Sequence, residues 1–547
     1  MLDYTGLTIA QALKKAAEEW GDRECVASFN QQLSWTELFD TACRLATGLQ
    51  GIGIKKGDSV ATIFGSVPEW IYTKYALHIL GAVVVPVNIN FRAAEIKYVL
   101  KQADVKVLIL TDKLPQGNYL EILKEINPAI VSCGNAEIQS RELPLLKRLV
   151  CFSSEGQKYP SCVDFTELMK ASVGYEPGKI EALLSQGRPD DICNILFTSG
   201  STAVPKGAMH NHQSLLGIGA HLMGKTFLLE PSHRLLGYLP FYHIAGCVCH
   251  TLGALTSGCF TFVHPFLPDE VLRIIQDQRI NFFSGFDAHF NAIATHPRLR
   301  EFDVSSIDRI LLATGPAWYD RCQEIFPNAK IVSHQYGFTE GTGVSCMPDV
   351  TDYEKRKFTN GKPWPGIQVK VVNPATGVEL PSYEPGELCL SGWSRFQRYC
   401  KNEEETRKAI DQDGYFHSGD YGWKDEDGFI VYRGRFKMMI KTGGENVSER
   451  EVEIFLEGIS GIKSVQVIGV PDEKWGEAVT AIIESETGID LTKEKVLEHC
   501  QGKLAKFKIP KHLLFIKESE WPLLGVGKVD KRTLKKWALD QLEIKDM

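Results

Sequence analysis

No uninterrupted apolar run in this 547-residue sequence approaches the roughly 20 residues that a membrane-spanning helix needs. The longest, such as Gly81–Val87, are the size of a strand. The start, MLDYTGLTIAQALKKAAEEWG, lacks the basic-then-apolar pattern of a secretory leader, and the final IKDM is neither a peroxisomal nor a prenylation signal. An excess of basic charge is missing too. The net charge is −7 and the pI about 6.1, which excludes a polyanion such as DNA as the main partner. There is no GxSxG nucleophile elbow and no HExxH, and the carboxylates of DVTDYE at Asp349 lack the spacing of an EF-hand. Internal repeats and low-complexity segments are absent as well. Cysteine is plentiful, at 14, but without metal-binding spacing. Cys193, Cys259 and Cys389 sit inside apolar runs, and Cys247-Val-Cys-His250 has no distant partner pair. Such thiols are expected as small buried hydrophobes in a reducing, cytoplasmic setting.

What is present is the texture of a large globular protein, 44% hydrophobic and 24% charged. At this length two or more domains are expected. Short apolar runs alternate with amphipathic stretches through the first 340 or so residues. Ser34 and Glu37 form a capping box, Leu38, Ala42, Leu45 and Leu49 follow at helical spacing, and Gly51 closes the helix. GIGIKKG, Gly51 to Gly57, follows this helix rather than a strand, so it reads as a helix stop and turn. Strands are expected at Val60–Phe64, Val83–Val87, Val105–Leu110, Ile192–Phe197, Leu235–Leu239, Phe260–Val263, Asn281–Ser284 and Ile310–Ala313. Apolar strands alternating with helices predict parallel sheets covered on both faces. From about Lys362 the sequence turns Pro- and Gly-rich with short alternating runs, predicting antiparallel β structure. After about Arg435 mixed α+β patterning returns, with a second capping box at Ser448 and Glu451. The expected fold is α/β: a large N-terminal domain of parallel sheets (1–436) with a barrel-like β subdomain at about 344–435, then a hinge and a small α+β domain (437–547).

One stretch directly follows the apolar run Ile192–Phe197: TSGSTAVPKG, Thr198 to Gly207. Pro205 breaks the Walker pattern, yet the physics of phosphate binding remains. Gly200 lets backbone N–H groups face one point, Thr198, Ser199, Ser201 and Thr202 add hydroxyl donors, and Lys206 adds a point charge. Taken alone, a polar turn explains the stretch equally well.

Four further motifs travel with it: YGFTE at Tyr336, YFHSGDYG through Asp420, GRFKMMIKTGGENVSEREVE at Gly434, and PLLGVGK ending at Lys528. In this order and over essentially the whole chain, the sequence resembles the adenylate-forming superfamily of acyl-CoA ligases, luciferases and peptide-synthetase adenylation domains. The resemblance implies that Thr198, Ser199, Gly200, Ser201, Thr202 and Lys206 hold the phosphates of ATP, and that Gly315 also belongs to the nucleotide site. It implies that Tyr336 stacks on adenine, Thr339 bonds the α-phosphate and Glu340 holds Mg²⁺. Asp420 and Arg435 would bind the ribose, Lys528 would catalyse adenylation, and Lys437 would be the hinge. Gly443 and Gly444 would give room to the pantetheine arm of CoA, and His243 would stand beside the acyl carboxylate.

By the same resemblance Gly337, Ala245, Gly246 and Phe286 border the acyl pocket. With no side chain at Gly337, a deep apolar pocket is expected, suited to a medium-length aliphatic, alicyclic or aromatic acid rather than acetate. The implied activity is formation of an acyl-adenylate and then an acyl-CoA, within fatty acid metabolism, by a monomer or homodimer with small-molecule partners only. Loading of a carrier protein and a luciferase-like oxygenase share these motifs and stay open. A nucleotide sensor is disfavoured by the full set of catalytic residues. Departures are Ala203 for a glycine in the phosphate loop, Met438 for an acidic residue at the hinge, Arg398 for a glycine, and Phe286-Asp-Ala288 for Val-Pro-Thr.

Overall fold

The computed structural model describes residues 2–132, 137–171, 174–198, 205–314, 316–344, 346–347, 352–436, 439–442, 445–472, 475–489, 491–501, 503–504, 506–524 and 528–544. Two large sheets form the body. The first has seven strands in the order Ile331–His334, Arg309–Leu312, Phe282–Gly285, Arg234–Gly237, Phe260–Val263, Glu24–Ala27 and Gln32–Ser34. Every pairing in it is parallel except the last. The second has eight strands in the order Arg398–Tyr399, Lys206–Asn211, Ile192–Thr198, Val83–Pro86, Ser59–Ile63, Val105–Thr111, Arg148–Phe152 and Val163–Asp164. The strands expected from the apolar runs are therefore present, and their parallel pairing follows from burial on both faces.

Helices between the sheets supply the core. Pro68–Ile79 is buried at every position but Glu69, so it is enclosed on all sides, its Lys74 and His78 included. Its Trp70 stacks on Phe241 with centroids 4.8 Å apart. The helix Trp35–Gly51 carries the expected reciprocal cap, with Glu37 N donating to Ser34 Oγ at 3.2 Å and Ser34 N to Glu37 Oε2 at 2.8 Å. Gly51 is its last residue, and the GIGIKKG segment is the turn into the strand Ser59–Ile63. Twelve of the described cysteines are buried free thiols.

The Pro- and Gly-rich segment folds into a four-stranded antiparallel sheet, Ile367–Val372, Gly386–Gly392, Phe416–Lys424 and Ile430–Arg435. One piece of it leaves: Arg398–Tyr399 pairs antiparallel with Lys206–Asn211 and becomes the edge of the eight-stranded sheet. The C-terminal unit is built on Met439–Thr442, Glu445–Ser448, Ile462–Asp472, Gly476–Ser485 and His512–Phe515. Arg435 thus ends a strand of one sheet and Met439 begins a strand of another. Ser448 caps the helix Glu449–Glu457 by accepting from Glu451 N at 3.3 Å. The Glu451 carboxylate takes Lys508 Nζ at 2.5 Å rather than folding back to the cap, so an ion pair stands where the reciprocal half was expected. Ser448 Oγ also donates to the Arg433 carbonyl, tying the two units together. Among the described residues no helix is long and apolar enough to cross a membrane.

Candidate active site

Three elements meet at one cleft. In the four-stranded sheet, Asp420 on Phe416–Lys424 lies directly across from Arg435 on Ile430–Arg435. Cross-strand neighbours of opposite charge face each other, and Arg435 Nε donates to Asp420 Oδ1 at 2.9 Å. Tyr336 OH donates to the other oxygen, also at 2.9 Å. Asp420 is 3% exposed. Burial pushes its carboxyl above the usual range, against the pull of Arg435 and Tyr336. Its position is fixed from behind: Gly419, at φ +70°, donates its N–H to Glu387 Oε1 at 2.8 Å, and His417 bonds Glu387 Oε2 at 2.9 Å. A left-handed residue is needed for this turn, hence the glycine. Asp420 is thus a strand residue and an oriented acceptor.

Tyr336 is 4% exposed, and its ring stacks on Tyr432 with centroids 5.5 Å apart. Phe338 packs on the same ring with centroids 5.6 Å apart, so Tyr336 is held by aromatic neighbours on two sides. Thr339 and Glu340 occupy a single 3₁₀ turn, Thr339–Gly341. Tyr399 OH donates to Glu340 Oε1 at 2.7 Å, which orients the carboxylate. Next to this turn, Thr342 sits at φ +62°, an uncommon conformation for a β-branched residue. Its hydroxyl, bonded to the Ser394 carbonyl, holds it there. No sequence pattern pointed to Thr342.

Lys206 begins the strand Lys206–Asn211 and pairs with Thr198 in register; Thr198 Oγ1 donates to the Lys206 carbonyl at 3.4 Å. The Lys206 ammonium forms an ion pair with Glu405 and lies 5.2 Å from the centroid of the Tyr399 ring. Neither Tyr399 nor Glu405 was singled out from sequence; both arrive through the pairing of Arg398–Tyr399 with Lys206–Asn211. Ser199, Gly200, Ser201, Thr202 and Ala203 lie outside the described residues, as do Gly315, Lys437, Met438, Gly443 and Gly444.

From the small C-terminal unit comes Lys528. Leu523 and Val529 form an isolated bridge, and Leu524 N donates to the Lys528 carbonyl at 2.7 Å. The residue is exposed to solvent, and its ammonium is near enough to both units to feel charges on each. The protein around it, then Arg435 and Lys531, lower its pKa, while Asp420 and Asp287 act to raise it. Lys531, which reads as a solvent lysine in the sequence, is instead an anchor: its Nζ donates to Glu449 at 2.7 Å and to Glu453 at 2.5 Å. That pins the start of the helix Lys531–Leu542, three residues from Lys528.

His243 faces the same charge. Burial, then the Lys528 ammonium, lower its pKa to about 4. Its Nδ1 accepts weakly from Ala245 N at 3.4 Å. At neutral pH the ring is therefore neutral with its proton on Nε2, a donor suited to a carboxylate oxygen. Phe286 is half-buried and caps the helix Asp287–Ala294, its N–H donating to His289 Nδ1 at 3.2 Å. Gly337 is exposed, on a two-residue strand with Phe338. Ala245 is half-buried at the start of a π-helix, Ala245–Leu252. The backbone around Gly246 itself requires a glycine. A Cβ there would meet the Leu239 carbonyl oxygen at 2.4 Å and that of Pro240 at 2.3 Å. Cys247, in the same π-helix, gives its carbonyl to the buried Lys74 ammonium at 2.9 Å, so the CVCH segment is core.

The large unit thus gathers a buried Asp–Arg–Tyr cluster and a 3₁₀ turn carrying Glu340, and the small unit brings a lysine within electrostatic reach of them; the class this architecture belongs to is that of the adenylating enzymes. The chain belongs to the AMP-binding enzyme family: residues 13–400 match that family and residues 451–528 match the AMP-binding enzyme C-terminal domain. YngI of Bacillus subtilis (strain 168), named as an acyl-CoA synthetase, is 31% identical over 550 residues, covering 100% of this chain and 99% of its own. The mitochondrial medium-chain acyl-CoA ligase ACSF2 of Homo sapiens is 28% identical over 541 residues, covering 96% of this chain and 87% of its own. Among solved structures, ATP-bound MatB from Rhodopseudomonas palustris superposes with a TM-score of 0.82 at 25% identity, covering 97% of this chain and 99% of its own. The anthranilate CoA ligase AuaEII in complex with anthranoyl-AMP gives 0.85 at 21% identity, covering 98% of each, and attests the fold.

Proposed function

We propose that this protein activates a carboxylic acid with ATP and transfers the acyl group to CoA. In the first step a carboxylate oxygen attacks the α-phosphorus of ATP; an acyl-adenylate forms and pyrophosphate leaves. In the second the CoA thiolate attacks the acyl carbon and AMP leaves with the electron pair of the acyl–phosphate bond. Both steps move negative charge through one point, so oriented donors and cations do more here than a protein nucleophile. The observation that carries this reading is that Lys528 lies within electrostatic reach of His243, Arg435, Asp420 and Asp287.

On this reading Asp420 and Arg435 receive the ribose hydroxyls, and Tyr336 stacks on adenine. The neutral His243 donates to the acid, and Lys528 stabilises charge developing between carboxylate and α-phosphate. Thr339 adds a hydroxyl there, and Thr198 and Lys206 stand at the phosphate end. Glu340 fits Mg²⁺, being a hard oxygen donor that Tyr399 already orients; the ion would neutralise charge on the phosphates. CoA would enter past Gly443 and Gly444 after rotation at Lys437, with 1–436 as the ATP- and acyl-binding domain and 437–547 as the moving one. Free buried thiols support a reducing, cytoplasmic setting.

The acid we favour is medium-chain, alicyclic or aromatic. Gly337 supports this by adding no side chain, and half-buried Ala245 and Phe286 by offering an apolar wall. A pyrophosphate-release screen across acids of graded length and ring content, with and without CoA, tests the reading. Acid-dependent release with CoA-dependent AMP and thioester is expected. Thioester formation only on a carrier protein, or oxygen consumption with light, would replace it.

A further inference from the structure

The Lys206 ammonium does not wait unoccupied. It is paired with Glu405, with side chains 24% and 31% exposed, and sits over the Tyr399 ring, whose hydroxyl holds Glu340. Glu405 is placed by local structure: the Asn402 side chain accepts from Glu405 N at 3.1 Å, capping the helix Glu403–Ala409. The strand Arg398–Tyr399 then holds the start of that segment against Lys206–Asn211. The carboxylate also has a second cation at hand, since Lys408 Nζ lies 3.4 Å from Glu405 Oε1, on the oxygen that Lys206 does not use.

A polyphosphate arriving at Lys206 meets a carboxylate already bonded to that lysine. The two anions then compete for one ammonium, and their mutual repulsion weakens the hold on each. We propose that Glu405 is the resident counter-anion of Lys206, displaced toward Lys408 when the phosphates of ATP enter and competing with pyrophosphate for the same ammonium when it leaves. This rests on reading Lys206 as a phosphate-binding group. Glu405 is a positioning residue in this scheme: it touches neither the acid nor the reacting phosphorus. Its effect is to weaken the hold on pyrophosphate, favouring release after adenylation.

The test compares the full-length wild type with Glu405→Gln and with Glu403→Gln, which removes the same charge two residues away on the exposed side of the helix. Isothermal calorimetry gives the Kd for magnesium pyrophosphate directly, and steady-state assays give KM for ATP and for the acid. Glu405→Gln should tighten pyrophosphate and lower KM for ATP by roughly twofold to fivefold, the range of one partly exposed ion pair, with KM for the acid unchanged. Glu403→Gln should move none of these. Equal constants for Glu405→Gln and wild type, or equal shifts in both variants, would overturn the proposal. Lys206→Ala separates it from the underlying reading: an unchanged pyrophosphate Kd there removes Lys206 from the phosphate site altogether. A wild type that binds pyrophosphate but releases none from ATP with any acid would refute the proposed reaction, while the calorimetric comparison would still decide on Glu405.

Discussion

Lys528 and Gly337 carry opposite kinds of expectation, one charge and one absence of side chain. Lys528→Ala should suppress acid-dependent pyrophosphate formation far more than thioester formation from supplied acyl-adenylate; equal losses in both assays would refute its assignment to the first step. Because its pKa is lowered, the ammonium is lost earlier on the alkaline side than for an ordinary lysine. Adenylation should therefore fall with rising pH, and Lys528→Arg should remove that fall. Gly337→Trp should move preference from a six-to-eight-carbon acid toward acetate or propionate, read as relative kcat/KM. Each methylene buried in the pocket is worth about 0.8 kcal/mol, so a few carbons span orders of magnitude. Wild-type preference for acetate, or a variant that merely unfolds, would argue against an open pocket at this position.

At the scale of elements, the decisive feature is the passage from Ile430–Arg435 to Met439–Thr442, strands of two different sheets. Few bonds connect them, and Lys437 lies among those bonds. Lys437→Pro fixes φ near about −65° and should leave adenylate formation intact while CoA transfer fails. An unchanged rate of thioester production would exclude reorientation at this residue. The orientation described here is held by contacts that rotation must break: Ser448 Oγ to the Arg433 carbonyl, and the approach of Lys528 to His243. On the proposed reading it is the arrangement that serves the first step.

For the molecule as a whole, buried histidines set the response to acid. Burial lowers His210, His212, His250 and His334 to about 3, and His243 and His289 to about 4. Each is neutral when folded and takes up a proton near pH 6.5 when unfolded. Their contribution is complete above that pH and is lost as pH falls toward 4, at about 1.4 kcal/mol per pH unit for each proton taken up. Asp287, Asp420, Glu449 and Glu457, raised by burial, act in the opposite sense, but the six histidines outnumber them. Urea unfolding should therefore show stability dropping steeply between pH 6.5 and pH 5. A flat profile there would mean that the histidines are solvated in the native state.

The chain's local chemistry was enough for much of this. Apolar runs such as Ile192–Phe197 and Phe260–Val263 are strands because their side chains cannot be left in water, and Ser34 with Glu37 starts a helix because the two satisfy each other's backbone donors within one turn. The family followed from motif order. What the sequence could not decide is partnership at a distance. Arg398–Tyr399 reads as an irregular piece of the β-rich segment, yet it joins the sheet of Lys206 and so brings Glu405 to the phosphate lysine. Lys531 reads as one more surface charge, yet it is seated between Glu449 and Glu453. At Gly246 the Leu239 and Pro240 carbonyls leave no room for a Cβ, a constraint no local pattern registers. Local patterns register which residues avoid water and which turn the chain. Which charge meets which is settled only when remote strands pair and the two units close on one cleft.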